Sequence, residues 1–147
     1  MTTLGTAQAH STASQTHFFA RWADMGTWSE WNMDTEWVRL DGPFETGATG
    51  VLKPKGGPKV PFVVASVIPG REFIDVSLLL GAKLTFAHAV TVEGDGCTIA
   101  VTVSMTGPMA WFWRMVLGKS LRASLQPDLD RLVATAEADA LVASGAH

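Results

Sequence analysis

The hydrophobic pattern of this chain changes period once, and that change limits what it can fold into. From Glu36 to Thr106 apolar residues come in short alternating runs broken by glycine and proline, the mark of half-buried strands. From Met109 onward Leu117, Leu121, Leu125, Leu129, Leu132 and Ala136 recur at three and four, which is one stripe of a helix. A strand face repeats every second residue and a helix face about every 3.6, so one element cannot serve both patterns.

Turn residues set the boundaries. Strands are predicted over 36–41, 50–54, 60–68, 71–80, 83–93 and 97–106, separated by Asp41-Gly42-Pro43, Lys55-Gly56-Gly57-Pro58, Pro69-Gly70, Gly81 and Gly94-Asp95-Gly96. Strands joined by such short turns pair antiparallel. Ahead of them, 14–25 reads as a helix with Phe18, Phe19, Trp22 and Met25 on one face, and 27–32 as a helical turn capped by Thr27 or Ser29. The last helix is predicted over 109–140, with Arg114, Arg122, Gln126, Arg131 and Glu137 turned to its other side and a kink at Pro127. Residues 2–10 form strands poorly. Segments 1–13 and 141–147 are expected to be loosely ordered around a single α+β domain.

Composition narrows the functional classes. Hydrophobic residues make up 47% of the 147 and charged residues 17%, which excludes disorder for most of the chain. A net charge of -3 leaves no basic excess for phosphates, so nucleic acid is not an expected partner. The single cysteine, Cys97, excludes an internal disulfide and a cysteine-cluster metal site. His10, His17, His88 and His147 have no metal-ligand spacing. No nucleophile-elbow, zincin, P-loop or dinucleotide motif occurs, and no cofactor is expected. Residues 1–14 have neither the basic start nor the apolar core of a signal peptide. The uncharged stretch from Gly96 to Trp113 is broken by Gly107-Pro108. The expectation is a soluble, cytoplasmic protein without stable membrane insertion.

Strand parity nominates a site. Leu84, Phe86, His88, Val90 and Val92 share one face, and Cys97, Ile99, Val101, Val103 and Met105 share the matching face of the partner strand. Those faces are expected to point inward, carrying His88 with them. In the preceding strand Ile74, Val76, Leu78 and Leu80 are taken as inner, leaving Asp75 and Ser77 outside; in 60–68 the inner set is Phe62, Val64, Ser66 and Ile68. Desolvation would keep an inward imidazole neutral, able to give or take one proton as an acid–base group or simply to hydrogen-bond a neighbour.

The other polar features have plainer readings. Cys97 has no basic neighbour to activate it and reads as a small buried residue. Lys53, Lys55 and Lys59 flank a glycine turn with no helix start behind it, and read as solvated hairpin tips. Asp24, Glu30, Asp34 and Glu36 read as a solvated rim, with Glu36 in register with Val38 and Leu40 and so able to point inward. The stretch from Met109 to Leu117 is apolar nearly all round. It is either covered by several walls or exposed as a portal, a homodimer surface or a membrane-touching patch.

Several motifs resemble the helix-grip superfamily that includes START domains, pollen-allergen-like proteins and the bacterial polyketide cyclase/dehydrase family (SRPBCC). They are Phe19-Ala20-Arg21-Trp22-Ala23-Asp24 with Trp28 and Trp31, Leu40-Asp41-Gly42-Pro43-Phe44 with Gly47 and Gly50, Pro69-Gly70-Arg71, and His88 followed by Gly96-Cys97-Thr98 and Gly107-Pro108. The likeness spans roughly 14–137. It implies a curved antiparallel sheet wrapped around a long C-terminal helix, with a deep apolar cavity that takes lipids, sterols or polyketides, catalytically in some members. Members usually open with a strand, which 2–10 would have to supply. The expected lining is Phe62, Val76, Leu78, Phe86, His88, Val101, Val103, Trp113 and Leu117. Two functions stay open: a carrier or sensor of an apolar or aromatic small molecule, and a cyclase or dehydratase using His88 as general acid–base. The enzyme needs a second polar group beside His88.

Overall fold

A computed structural model of the chain describes residues 2–145. The predicted turns return the chain antiparallel again and again. The strands are β1 (Thr2–Ser11), β2 (Thr35–Asp41), β3 (Thr49–Pro54), β4 (Val60–Ile68), β5 (Glu72–Leu79), β6 (Ala82–Glu93) and β7 (Gly96–Thr106). They form one sheet in the order β1-β7-β6-β5-β4-β3-β2. Helix α1 (Gln15–Ala23) and the 3-10 helix Met25–Glu30 join β1 to β2, and α2 (Ala110–Gly145) closes the chain. This is an α+β helix-grip arrangement.

The first strand forms despite its composition. Thr2 to Ser11 pair with β7 from Met105 back to Cys97, with a bulge between Thr3 and Gly5. Leu4 and Ala7 are buried. Gly5 lets α2 lie close: a Cβ there would stand 3.0 Å from the Leu125 side chain. Residues 2–11 are thus a paired strand where the sequence suggested a weak one, while Met1 lies outside the described residues. Burial of one apolar face against α2 outweighs a weak propensity. Order also extends beyond Ala140, since α2 runs to Gly145.

The helix starts differ in quality. Ser14 caps α1 by accepting from the Thr16 backbone N–H at 3.4 Å, so the helix begins one residue after the predicted start. The 3-10 helix has Asp24 at its N-cap position instead, without a side-chain cap bond. Thr27 donates its hydroxyl back to the Asp24 carbonyl at 2.8 Å, so neither Thr27 nor Ser29 is the cap.

In α2 the stripe is real but uneven. Leu129, Leu132 and Ala136 are buried, whereas Leu117, Leu121 and Leu125 are half-buried. Two residues assigned to the outer side belong to the sheet side. Gln126 accepts from Gln8 N–H at 3.3 Å and donates to the Gln8 carbonyl at 3.0 Å, which satisfies the exposed edge of β1. Glu137 accepts from the Ser11 hydroxyl at 2.8 Å. Arg21 clamps α1 to α2 through both carboxylate oxygens of Asp139, at 2.6 and 3.0 Å, a bidentate geometry that fixes orientation.

Candidate functional site

The β5–β6 hairpin decides which side chains face inward. Its loop is Leu80-Gly81, with Gly81 at φ +70°, and the pairs behind it are Leu79 with Ala82, Ser77 with Leu84, Asp75 with Phe86, and Phe73 with His88. Directly opposed residues share a face of the sheet. His88 is buried, so Phe73, Asp75 and Ser77 are inward with it. All three are buried as well.

This corrects the sequence-based choice for β5. Val76 lies on the outer face, half-buried, and Leu78 is 41% exposed. Neither lines the interior. The even-numbered positions of 71–80 hold more aliphatic carbon, but the register of the hairpin overrides that count. A bulge between Val64 and Ser66 makes a similar correction in β4. Phe62 and Val64 face inward and buried, but the extra residue turns Ser66 and Ile68 away. Ser66 donates to Glu72 at 3.0 Å and Ile68 is 46% exposed, while Val67 takes the inner position opposite Phe73. Glu36 is exposed and paired with Lys53 at 3.1 Å. The bulge between Thr35 and Trp37 breaks the parity that linked it to Val38.

His88 sits in an aromatic box. Its Nδ1 lies 2.9 Å from the Phe73 carbonyl. A carbonyl only accepts, so Nδ1 carries the proton and Nε2 is left as an acceptor. The ring stacks on Phe73 at 4.7 Å and 14°, and meets Trp22 at 5.2 Å. Trp28 and Phe44 close on Phe73 from 6.1 and 5.0 Å. Burial lowers the His88 pKa to about 4, with the Phe73 carbonyl opposing it, so the ring is neutral at neutral pH.

One rung along, Asp75 lies between Val64 of β4 and Phe86 of β6. Its Oδ1 is buried without a hydrogen-bond partner among the described residues. Burial pushes its pKa up to about 7, against a smaller opposing effect of its own backbone N–H. Trp22 Nε1 and Trp31 Nε1 are also buried and unpartnered among the described residues. Three orphaned polar atoms in one small core are unusual, because buried polar groups ordinarily find partners.

The lid over this face is incomplete. Helix α2 packs chiefly on β1, with lesser contact to β7 and β6. Val101 and Val103 are buried in β7, but Phe86, Trp113 and Leu117 are only half-buried. Trp113 uses its Nε1 to donate to the Leu80 carbonyl at 2.8 Å. Two depressions stand out. One, of about 420 Å³, lies between Met33 and Asp34 and the α2 residues Ser120, Ser124, Pro127 and Asp128. The other, of about 460 Å³, lies between the Leu78–Lys83 turn and Gly107-Pro108. Both open to solvent, and neither is lined by Phe62, Phe86 or His88. Neither of these two depressions is the enclosed cavity expected from the sequence. The indoles of Trp22 and Trp28 fill the space beside Phe73 and His88 instead.

The remaining polar features are accounted for locally. Cys97 is buried, its thiol donates to the Ala13 carbonyl at 3.3 Å, and burial raises its pKa. Lys59 lies 5.8 Å over the Trp37 ring. Glu30 pairs with Arg21 at 3.0 Å. Asp128, at the mouth of the 420 Å³ depression, is pushed up to about 6 by burial and then by the charge of Asp34. Among the described residues no cluster of His, Cys, Asp or Glu is arranged to hold a metal ion; His147 lies outside them.

No protein-family model and no curated protein matches the chain by sequence. Solved structures do match its shape. The di-domain ARO/CYC StfQ from the steffimycin biosynthetic pathway superposes on 96% of this chain and 53% of its own, with a TM-score of 0.75 at 14% identity. DynU16, from the dynemicin biosynthetic locus, matches over 92% of this chain and 48% of its own, with a TM-score of 0.65 at 17% identity. TTHA0849 from Thermus thermophilus matches over 92% of this chain and 97% of its own, with a TM-score of 0.70 at 13% identity. The chain spans about half the length of StfQ and DynU16. The likeness is one of fold, and that fold is the helix grip.

Proposed function

We propose that this chain binds an apolar or aromatic, oxygen-bearing small molecule between the inner face of β4–β7 and the N-terminal half of α2, as a carrier or sensor. The observation that carries this reading is Asp75: a carboxyl buried at the centre of an apolar face with Oδ1 unpartnered among the described residues. Such a group costs stability on its own. A ligand hydroxyl or carbonyl would satisfy it, with His88 Nε2 offering an acceptor one rung away. Phe62, Phe86, Val101, Val103, Trp113 and Leu117 supply the apolar contact. Val76 and Leu78 do not take part. The two ARO/CYC and biosynthetic-locus neighbours support a small-molecule role through shared fold. Entry would follow the depression beside Asp128, with the half-buried α2 leucines giving way.

The test is native mass spectrometry of the protein purified from its own host. A retained small molecule, lost in Asp75→Leu, is the expected result. A parent protein as empty as the variant ends the proposal.

Asp75 also favours a second reading, that of a cyclase or dehydratase. A group with its pKa near working pH is the better proton donor, so Asp75 is the general acid in that reading and His88 the base beside it. In a dehydration, the protonated Asp75 gives its proton to the departing hydroxyl, which leaves as water. The neutral Nε2 of His88 accepts the proton released from the adjacent carbon. His88→Ala and Asp75→Asn would then each abolish turnover of a β-hydroxy ketone without unfolding the protein. Unchanged turnover in Asp75→Asn removes the enzyme reading and leaves the carrier.

A further inference from the structure

The start of α2 carries two apolar faces, and the fold uses only one. Trp113, Leu117 and Leu121 are half-buried. Trp111, Phe112, Met115 and Val116 lie on the other side, 55%, 39%, 77% and 54% exposed. Beside them stands Leu80, 82% exposed. The β5–β6 turn is fastened to this helix start by the Trp113 bond to the Leu80 carbonyl and by Met109 N–H donating to the Gly81 carbonyl, each at 2.8 Å. Turn and helix therefore present one surface. Five large apolar side chains grouped at one corner exceed the scattered exposure of an ordinary surface.

Charge says what covers it. From Pro108 to Pro127 the chain carries Arg114, Lys119 and Arg122 and not one Asp or Glu, and the turn 78–83 adds Lys83. On a chain of net charge -3, this corner is cationic. A second copy of the chain docked about a two-fold axis would set these cations against their own kind, which opposes a homodimer here. An anionic bilayer surface fits both features. Tryptophan and phenylalanine settle at the boundary of headgroup and acyl chain, while lysine and arginine reach the phosphates. Among the described residues no helix is long and apolar enough to cross a membrane, so the contact would be peripheral.

We propose that the corner formed by Leu80 and the first turns of α2 docks this protein on anionic lipid surfaces. The measurement is co-sedimentation with vesicles of mixed phosphatidylcholine and phosphatidylglycerol, beside vesicles of phosphatidylcholine alone. Association with the mixed vesicles only, weakened by added salt and accompanied by a blue shift of tryptophan emission, is expected. Replacing both Trp111 and Phe112 by Ser should weaken binding about tenfold or more. The triple change Arg114→Gln, Lys119→Gln and Arg122→Gln should weaken it on the order of a hundredfold, at about tenfold or less per cation. Far-ultraviolet circular dichroism and the urea midpoint of each variant must match the parent, since these side chains are exposed. Absence of binding to mixed vesicles at low salt overturns the proposal. So does equal binding by the variants, or a solution dimer that Trp111→Ser dissociates.

Discussion

Two neighbouring rungs of the inner sheet face are buried alike and built differently. In the Phe73–His88 rung the one polar hydrogen is bonded to a backbone carbonyl and the ring is packed on both sides. In the Asp75–Phe86 rung a buried carboxyl has Oδ1 facing no partner among the described residues, and Phe86 is only half-buried. The first rung contributes stability. The second costs it. A position that costs stability on its own, at the centre of an apolar face, is where a guest would offset the deficit. Burial alone therefore does not mark a site.

The largest effect should come from breaking the aromatic packing around the Phe73–His88 rung. Trp22 is wholly buried against His88, Phe73 and Phe19. Trp22→Ala is expected to lose about 3–5 kcal/mol, read from urea unfolding. A loss under about 1 kcal/mol would mean that the aromatic box is not packed as described.

The opposite sign is expected one rung away. Asp75→Leu removes a carboxyl whose pKa is raised from 3.8 to about 7, a shift equivalent to roughly 4 kcal/mol once the group must ionise. At pH 8 the variant should be the more stable protein, by about 2–4 kcal/mol. Destabilisation at that pH would show that the carboxylate has a partner in the folded state.

The pH dependence separates the two rungs without any ligand. Between about pH 4 and 7 folded Asp75 keeps a proton that the unfolded carboxyl has released. Its contribution therefore falls as pH rises and reaches its full cost above 7. Folded His88 stays neutral down to about pH 4, whereas the unfolded imidazole takes a proton below 6.5. Its contribution is full above 6.5 and is lost as pH falls toward 4. Relative to the parent, Asp75→Asn should gain about 1.4 kcal/mol per pH unit as pH rises through the first window. His88→Phe should gain relative to the parent as pH falls through the second. Slopes of the same sign would refute the contrast. In the parent the two largely cancel between about pH 4 and 6.5, which hides both.

Much of this was legible in the amino-acid sequence, and the misses have physical causes. The switch of period near Gly107 separated sheet from helix, and the Gly94-Asp95 turn placed His88, Val101 and Val103 inward correctly. The same reasoning, pushed one hairpin further, would have found Asp75. If Leu80-Gly81 is a two-residue loop, Leu79 pairs with Ala82 and His88 with Phe73, so an inward His88 requires an inward Asp75. Aliphatic content pointed to Val76 and Leu78 instead. That content is a weaker signal than register, because β-branched and leucine side chains also suit a half-exposed outer face. The bulge after Val64 had no comparable signal, since Ala65 looks like any strand residue. Nor did β1: Leu4 and Ala7 become buried only because α2, far along the chain, lies across them.

The smallest expected effect falls on Ser77, which tests whether the unsatisfied rung extends along β5. Ser77 is buried opposite Phe62 and Leu84, two side chains that offer its hydroxyl no hydrogen bond. A hydroxyl bonded within the protein costs about 1 kcal/mol or more to remove, because its partner is left unpaired. A hydroxyl facing open space costs almost nothing. Ser77→Ala should therefore change stability by less than about 0.5 kcal/mol while lowering retention of a copurified ligand. A larger loss of stability would place Ser77 with His88 among the satisfied groups, and the unpartnered region would shrink to Asp75 alone.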